Sequence, residues 1–260
     1  MYSILKSRLL QGCRTQSFPA SPESLPDRFR GLPKITPGLC SRDCRLCIQH
    51  CPTAAISRLA SEHRILIDLG RCIFCGECAA VCPSGTISFT RDYQLSSRTR
   101  SGLLVGQQEK PLLEPLTGEK RRLFHRSLKL RQVSAGGCNG CEVDVNVLNT
   151  LAFDLGRFGI QMVASPRHAD GLLITGPVTA NMYQALLKTW EAVPSPKLVI
   201  AVGSCAISGG LFRDFEQVKN GVEGMLPVDL YVPGCPPNPW TILDGLVRLI
   251  GNPRAKARGY

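Results

Sequence analysis

Twelve of the thirteen cysteines lie between Cys40 and Cys235, and their spacing limits what this 260-residue chain can fold into. Eight form two compact runs, Cys40/Cys44/Cys47/Cys51 and Cys72/Cys75/Cys78/Cys82, each closed by Cys-Pro at Cys51-Pro52 and Cys82-Pro83. Four are dispersed: Cys138 and Cys141 in AGGCNGCE, Cys205 in GSCAISGG and Cys235 in VPGCPP. The runs repeat one another, CRLCIQHCPTAAIS against CGECAAVCPSGTIS, at an offset of 31 residues. In such a run three close thiolates wrap one cube, and the fourth cysteine reaches the other. The spacing predicts one [4Fe–4S] cluster on Cys40, Cys44, Cys47 and Cys82 and a second on Cys72, Cys75, Cys78 and Cys51. The dispersed cysteines make a third set of four, hence three [4Fe–4S] clusters in all.

The second run, C-x2-C-x2-C-x3-C-P, is highly specific. The first is irregular, because Cys40 and Cys44 have three residues between them where Cys72 and Cys75 have two. A zinc reading, two C-x2-C pairs around one ion, leaves the paired Cys-Pro endings unexplained. Cys13 matches no ligand spacing and reads as a spare thiol.

No apolar run approaches the roughly 18 residues that span a bilayer, and MYSILKSRLLQGC lacks the apolar core and cleavage site of a secretory signal. A cytoplasmic chain is expected, where clustered cysteines mean metal or redox chemistry. The net charge of +11 invites a nucleic-acid reading. No nucleic-acid-binding motif accompanies it, and three thiolate-bound clusters at roughly −2 each offset about six charges. Residues 91–132 hold ten Lys/Arg against four Asp/Glu, and residues 1–34 hold six against two. An acidic partner or an anionic membrane surface fits that distribution.

Four segments follow. Residues 1–34 are an N-terminal amphipathic and extended docking segment. Its first ten residues read as a basic-flanked helix, docked on its own domain or lying against a membrane or membrane subunit. Residues 35–90 form a small α+β two-[4Fe–4S] ferredoxin-like domain with strands near 65–67 and 86–89. Residues 91–127 are a basic linker, a tether with one short helix. Residues 128–255 alternate strands (128–134, 161–164, 172–175, 198–202, 228–232) with helices (142–155, 180–191, 239–250). Short apolar strands mark a parallel sheet covered on both faces, here a flavodoxin-like doubly wound α/β fold. The dispersed cysteines follow strand ends, where such sheets bind ligands, and their glycines let the backbone approach a bulky cluster. A flavin at that edge would leave the thiols unexplained. Glu142 is a candidate proton relay or a helix-terminal carboxylate, and Asp144 reads as helix surface.

Residues 1–110 resemble the two-cluster ferredoxin subunit of complex I and of formate hydrogenlyase-type [NiFe]-hydrogenases. The shared features are the basic amphipathic start, PDRFRG, the paired runs and FTRDYQLSSRTRSGL. Residues 131–250 resemble the electron-transfer small subunit shared by complex I (its 20 kDa subunit family) and energy-converting membrane-bound [NiFe]-hydrogenases. GGCNGCEVDV, RFGIQMVASPRHADGLLITGPVT, PKLVIAVGSCAISGG and PVDLYVPGCPPNPWTILDGL carry that likeness. It implies a cluster on Cys138, Cys141, Cys205 and Cys235 beside a large subunit. Complex I-type members have two adjacent cysteines at the first position. Cys138-Asn139-Gly140-Cys141 is the hydrogenase-like form, shared with sulfur-reducing complexes.

The resemblance implies an electron-transfer subunit of a membrane-associated oxidoreductase complex, peripheral on the inner face of the cytoplasmic membrane, with no stand-alone active site. Implied partners are a hydrogenase-like large subunit (complex I 49 kDa subunit family), membrane-arm subunits, and an electron-donor iron–sulfur protein or formate dehydrogenase; nucleic acid is not among them. The alternatives are a nickel-free complex I-like quinone or sulfur-reducing oxidoreductase and a free-standing ferredoxin-type carrier.

Overall fold

The structure, a computed structural model, describes residues 2–12, 14–19, 25–38, 40–41, 43–59, 64–108 and 110–252. Cys13 lies outside the described residues. The chain begins with helix α1 (Tyr2–Gln11), none of whose residues is buried. Ile4, Leu5, Leu9 and Leu10 are all well exposed, so α1 does not dock on its own domain.

The two cysteine runs fold as a pseudo-repeat. After β1 (Pro33–Ile35), the first run ends in the single turn α2 (Leu46–Gln49). The hairpin β2 (Ile56–Leu59) and β3 (Arg64–Asp68) follows, then α3 (Glu77–Ala80) in the second run and β4 (Ile87–Phe89). β4 returns antiparallel to β1, and β2 pairs with β3 with Ile56 opposite Ile67. Residues alternate across β3, so Ile65 and Ile67 enter the core while their neighbours do not. This is the ferredoxin-like unit.

The expected tether is instead a packed strap. β5 (Leu104–Val105) extends the β2–β3 sheet, and Tyr93, Leu95, Leu103, Leu113 and Leu116 are buried. Ser97 exchanges both backbone hydrogen bonds with Tyr231, at 3.0 and 2.8 Å. That contact covers the edge of the C-terminal sheet, which an exposed strand would otherwise offer to another chain. Much of the basic charge is engaged internally. Arg98 donates to Pro115 O, Lys110 to Ser96 O, and Lys120 pairs with Asp229. The segment reads as featureless because its apolar residues fill separate gaps from turns, which leave no period. Among its described residues the one α-helix is α4 (Gly118–Phe124).

The C-terminal unit is a five-stranded parallel sheet. In chain order it runs β6 (Leu128–Ser134), α5 (Gly140–Val147), β7 (Ile160–Met162), β8 (Gly171–Thr175), α6 (Ala180–Ala192), β9 (Leu198–Val202), α7 (Ser204–Ser208), β10 (Leu230–Val232) and α8 (Pro239–Leu249). The spatial order β10-β9-β8-β6-β7 is the flavodoxin-like order, with its switch point between β6 and β8. All five residues of β8 and of β9 are buried, because helices cover both faces. α5 stops at Val147, short of the expected end at 155. Thr150 Oγ1 donates to Val147 O at 2.7 Å, taking a carbonyl that a longer helix would have used. Asp154 then turns with φ +49°.

α8 carries a buried ion pair in which Arg248 Nε sits 2.9 Å from both Asp244 oxygens. Gln94 Nε2 of the strap donates to the same carboxylate at 3.5 Å. Asp244→Ala takes this carboxylate from a buried guanidinium and should cost about 3–5 kcal/mol. The urea midpoint measures it; an unchanged midpoint would show that the pair does not stabilise the fold.

Candidate metal centres

Burial and mutual charge effects sort the thiols into three neighbourhoods. Burial pushes Cys47 up, and then Cys40, Cys82 and Cys44 add to the rise. Burial pushes Cys72 up to about 12, outweighing the Phe74 amide that lowers it, with Cys78, Cys51 and Cys75 adding further. Cys78 is pushed up to about 11 by burial, then by Cys75, Cys51 and Cys47. The influence of Cys47 on Cys78 makes the first two groups neighbours. Cys51, Cys72, Cys75 and Cys78 line one cavity with Ile56, Ile67 and Phe89. Backbone amides aim at sulfur in both runs: Ala55 N–H at Cys51 (3.2 Å), Phe74 N–H at Cys72 (3.4 Å) and Thr86 N–H at Cys82 (3.3 Å).

The third group forms at the carboxyl edge of the sheet. Cys141 is raised by burial and then by Cys205, Glu142, Cys235 and Cys138. Cys205 rises to about 11 through burial, then Cys235 and Cys138. Cys138 is the exposed member and Cys205 the buried one. Here glycine is needed for space. A Cβ on Gly203 would lie 2.5 Å from Cys141 Sγ, and one on Gly210 would lie 2.9 Å from Cys205 Sγ.

Glu142 is buried at the switch point, where its Oε1 accepts from Ser134 Oγ and Thr175 Oγ1, both at 2.6 Å. It therefore ties the ends of β6 and β8 together beside Cys141. Asp144, expected on the helix surface, lines a cleft with Arg28, Arg30, Phe74, Cys235 and Pro236, and burial raises its carboxyl.

The three groups are linked in space. Ser204, next to Cys205, donates from Oγ to Cys72 O at 2.6 Å and to Gly234 O at 3.1 Å. Ser208 Oγ donates to Gly70 O at 2.8 Å. Arg100 of the strap grips both Asp68 oxygens and reaches Glu223 at 3.2 Å. Ser204, Ser134, Thr175 and Arg100 carry no motif, because their partners lie from 8 to 132 residues away in sequence.

Among the described residues no group of His, Cys, Asp and Glu is placed to hold a single metal ion. Soft thiolate donors in fours, amides directed at sulfur, and glycines where a Cβ would strike sulfur all fit a bulky anionic iron–sulfur cluster.

Residues 138–249 match the NADH ubiquinone oxidoreductase 20 Kd subunit family, and residues 39–86 match the 4Fe-4S dicluster domain. The chain is 40% identical over 157 residues to formate hydrogenlyase subunit 7 of Escherichia coli, across 60% of this chain and 62% of that protein. It is 38% identical over 144 residues to the probable membrane-bound hydrogenase subunit mbhJ of Pyrococcus furiosus, across 55% and 86%. It is 42% identical over 116 residues to an NADH-quinone oxidoreductase subunit of Heliobacterium modesticaldum, across 44% and 66%. With a dicluster domain on the same polypeptide, the chain belongs to the family of the 20 kDa subunit of NADH:ubiquinone oxidoreductase.

Proposed function

We propose that the chain is the electron-transfer iron–sulfur subunit of a membrane-associated [NiFe]-hydrogenase of the formate hydrogenlyase or energy-converting type. Its three [4Fe–4S] clusters are held by Cys40/Cys44/Cys47/Cys82, by Cys72/Cys75/Cys78/Cys51 and by Cys138/Cys141/Cys205/Cys235. The observation that carries this reading is the Ser204–Cys72 hydrogen bond, because it joins ligand loops of two different groups. A bound cluster supplies reversible one-electron transfer at a potential set by hydrogen bonds and burial around its sulfurs. The amides of Ala55, Phe74 and Thr86 donate to those sulfurs, and Ser204 keeps the ligand loops of the second and third groups in contact.

Exposed Val143, Leu211, Phe212 and Phe215 flank the segments bearing the exposed Cys138 and the buried Cys205. An apolar face there fits docking by a hydrogenase-like large subunit. The bare apolar residues of α1 and its Lys6 and Arg8 fit a membrane arm or the inner face of the cytoplasmic membrane. No helix among the described residues is long and apolar enough to cross a membrane. An electron-donor iron–sulfur protein or formate dehydrogenase completes the proposed partners.

Anaerobic purification tests the reading. It expects about twelve irons per chain and a co-purifying large subunit that contains nickel. A nickel-free large subunit would move the assignment to a quinone- or sulfur-reducing complex, and a chain that runs alone with full iron would make it a free carrier.

Glu142 takes the role of proton relay beside the third group. Glu142→Gln keeps an oxygen to accept from Ser134 and Thr175, so iron should be retained while turnover falls severalfold. Unchanged turnover would leave Glu142 as a tie between strands only.

A further inference from the structure

The first run is one residue wider than the second between its first two cysteines, and one side chain stands at the place where they differ. In the second run the first cysteine, Cys72, receives a hydrogen bond on sulfur from its own loop, the Phe74 N–H at 3.4 Å. In the first run the extra residue sits between Cys40 and Cys44. There a side chain donates to the first sulfur, Arg58 Nη2 lying 3.2 Å from Cys40 Sγ. The same guanidinium nitrogen donates to Cys44 O at 2.8 Å, and both terminal nitrogens reach Ser41 O at 3.4 Å. Arg58 thus touches the carbonyls at both ends of the enlarged loop and the sulfur that opens it.

Its placement follows from β2. Side chains two apart on a strand share a face, and Ile56 and Arg58 are two apart on β2. Ile56 forms part of the wall around Cys51, Cys72, Cys75 and Cys78. Arg58 extends the same face to the Cys40 group. Arginine suits this position because its planar fork offers several donors at once and its charge does not titrate away. An amide brings a dipole to sulfur, whereas a guanidinium brings a full positive charge, and hydrogen bonds and charge at the sulfurs both set cluster potential.

We infer that Arg58 is a positioning and tuning residue for the first cluster, clamping the widened Cys40–Cys44 loop and raising that cluster's reduction potential. The inference rests on the assignment of Cys40, Cys44, Cys47 and Cys82 to one cluster. Arg58 stabilises the reduced form less by any single contact than by the charge it keeps beside the Cys40 sulfur.

The test is a redox titration of the full-length protein, purified anaerobically and followed by paramagnetic resonance. Cys44→Ala identifies the signal of the first cluster by its loss; if that variant removes no signal or all three, the assignment itself fails. Arg58→Met keeps the aliphatic stem without charge or donors, and Arg58→Lys keeps the charge without the fork. Both should lower the midpoint of the identified signal, Met more than Lys, with the other two midpoints unmoved. Loss of that one signal in Arg58→Met, together with a lowered midpoint in Arg58→Lys, also supports the clamp. Full iron with all midpoints unmoved in both variants, or an equal shift of all three, would overturn the inference while leaving the ligand assignment intact.

Discussion

Gly203→Ala is expected to empty the third thiol group and leave the other two loaded, so iron falls from about twelve to about eight per chain. Two physical effects act together. Gly203 has φ +91° and ψ 153°, a region essentially reserved for glycine, where another residue is strained by roughly 1–3 kcal/mol. The larger effect is steric, since the added Cβ would sit 2.5 Å from Cys141 Sγ and 3.6 Å from Gly234 O. The sulfur must move away from the other three, and the set of four is broken without removing a thiol. Gly118→Ala separates the two effects, because Gly118 also has positive φ (+59°) but no atom within 4 Å of its Cβ position. Iron counted chemically and by paramagnetic resonance decides the matter. Three intact signals in Gly203→Ala would mean that the four cysteines do not share one cluster.

Raising the pH should load the three groups of the iron-free protein in sequence, the Cys40 group first. A thiol binds iron only after it loses its proton, so affinity rises by up to about tenfold per pH unit for each thiol still protonated. Burial, reinforced by neighbouring thiols, holds Cys72 at about 12, and Cys78 and Cys205 at about 11; Cys141 is raised as well. Burial raises Cys82 too, but hydrogen bonds from the Ser84 side chain and from the amides of Thr86, Ile87 and Ser84 together bring it to about 7. The Cys40 group therefore sets one lowered thiol, Cys82, beside the raised Cys47, whereas the shifted thiols of the other two groups are all raised. Ferrous iron and sulfide added near pH 7 should give its signal before the others; simultaneous loading, or the reverse order, would refute the prediction.

The sign for stability follows from the same shifts. Above the ordinary thiol value of 9.0 the unfolded iron-free chain has lost protons that Cys72, Cys78 and Cys205 still hold when folded. Their contribution is present below that pH and is lost as pH rises through about 11 to 12. Cys82 acts oppositely: its contribution is present above 9.0 and is lost as pH falls through about 7. Melting curves of iron-free protein between pH 7 and 12 should therefore show a net fall at the alkaline end.

The parts of the fold that were legible are those held by local pattern. β9 begins and ends where its apolar run does, because it is a buried strand, and β6 keeps its expected bounds with Leu128, Leu130 and Val133 buried along it. The paired Cys-Pro endings announce the pseudo-repeat because each loop must close on itself. The strap was not legible. Tyr93, Leu103 and Leu116 are fully buried, yet each fills a gap made by residues distant in the chain, so no spacing rule applies. The same reason hides Ser204 and Arg58. A hydrogen bond spanning 132 residues, or a guanidinium reaching back 18 to a sulfur, leaves no local trace. Glu142 was visible as a residue beside a cysteine, but its two hydroxyl donors come from different strands and emerge only once those strands are neighbours.

Because Ser204 and Cys72 belong to one polypeptide, the contact between the dicluster unit and the sheet unit is independent of concentration. Dilution or detergent that strips loosely held proteins from an assembly would leave this stretch of wiring whole. Copy number is locked at one dicluster unit per sheet unit, and neither half can be exchanged for a homologue without splicing the gene itself.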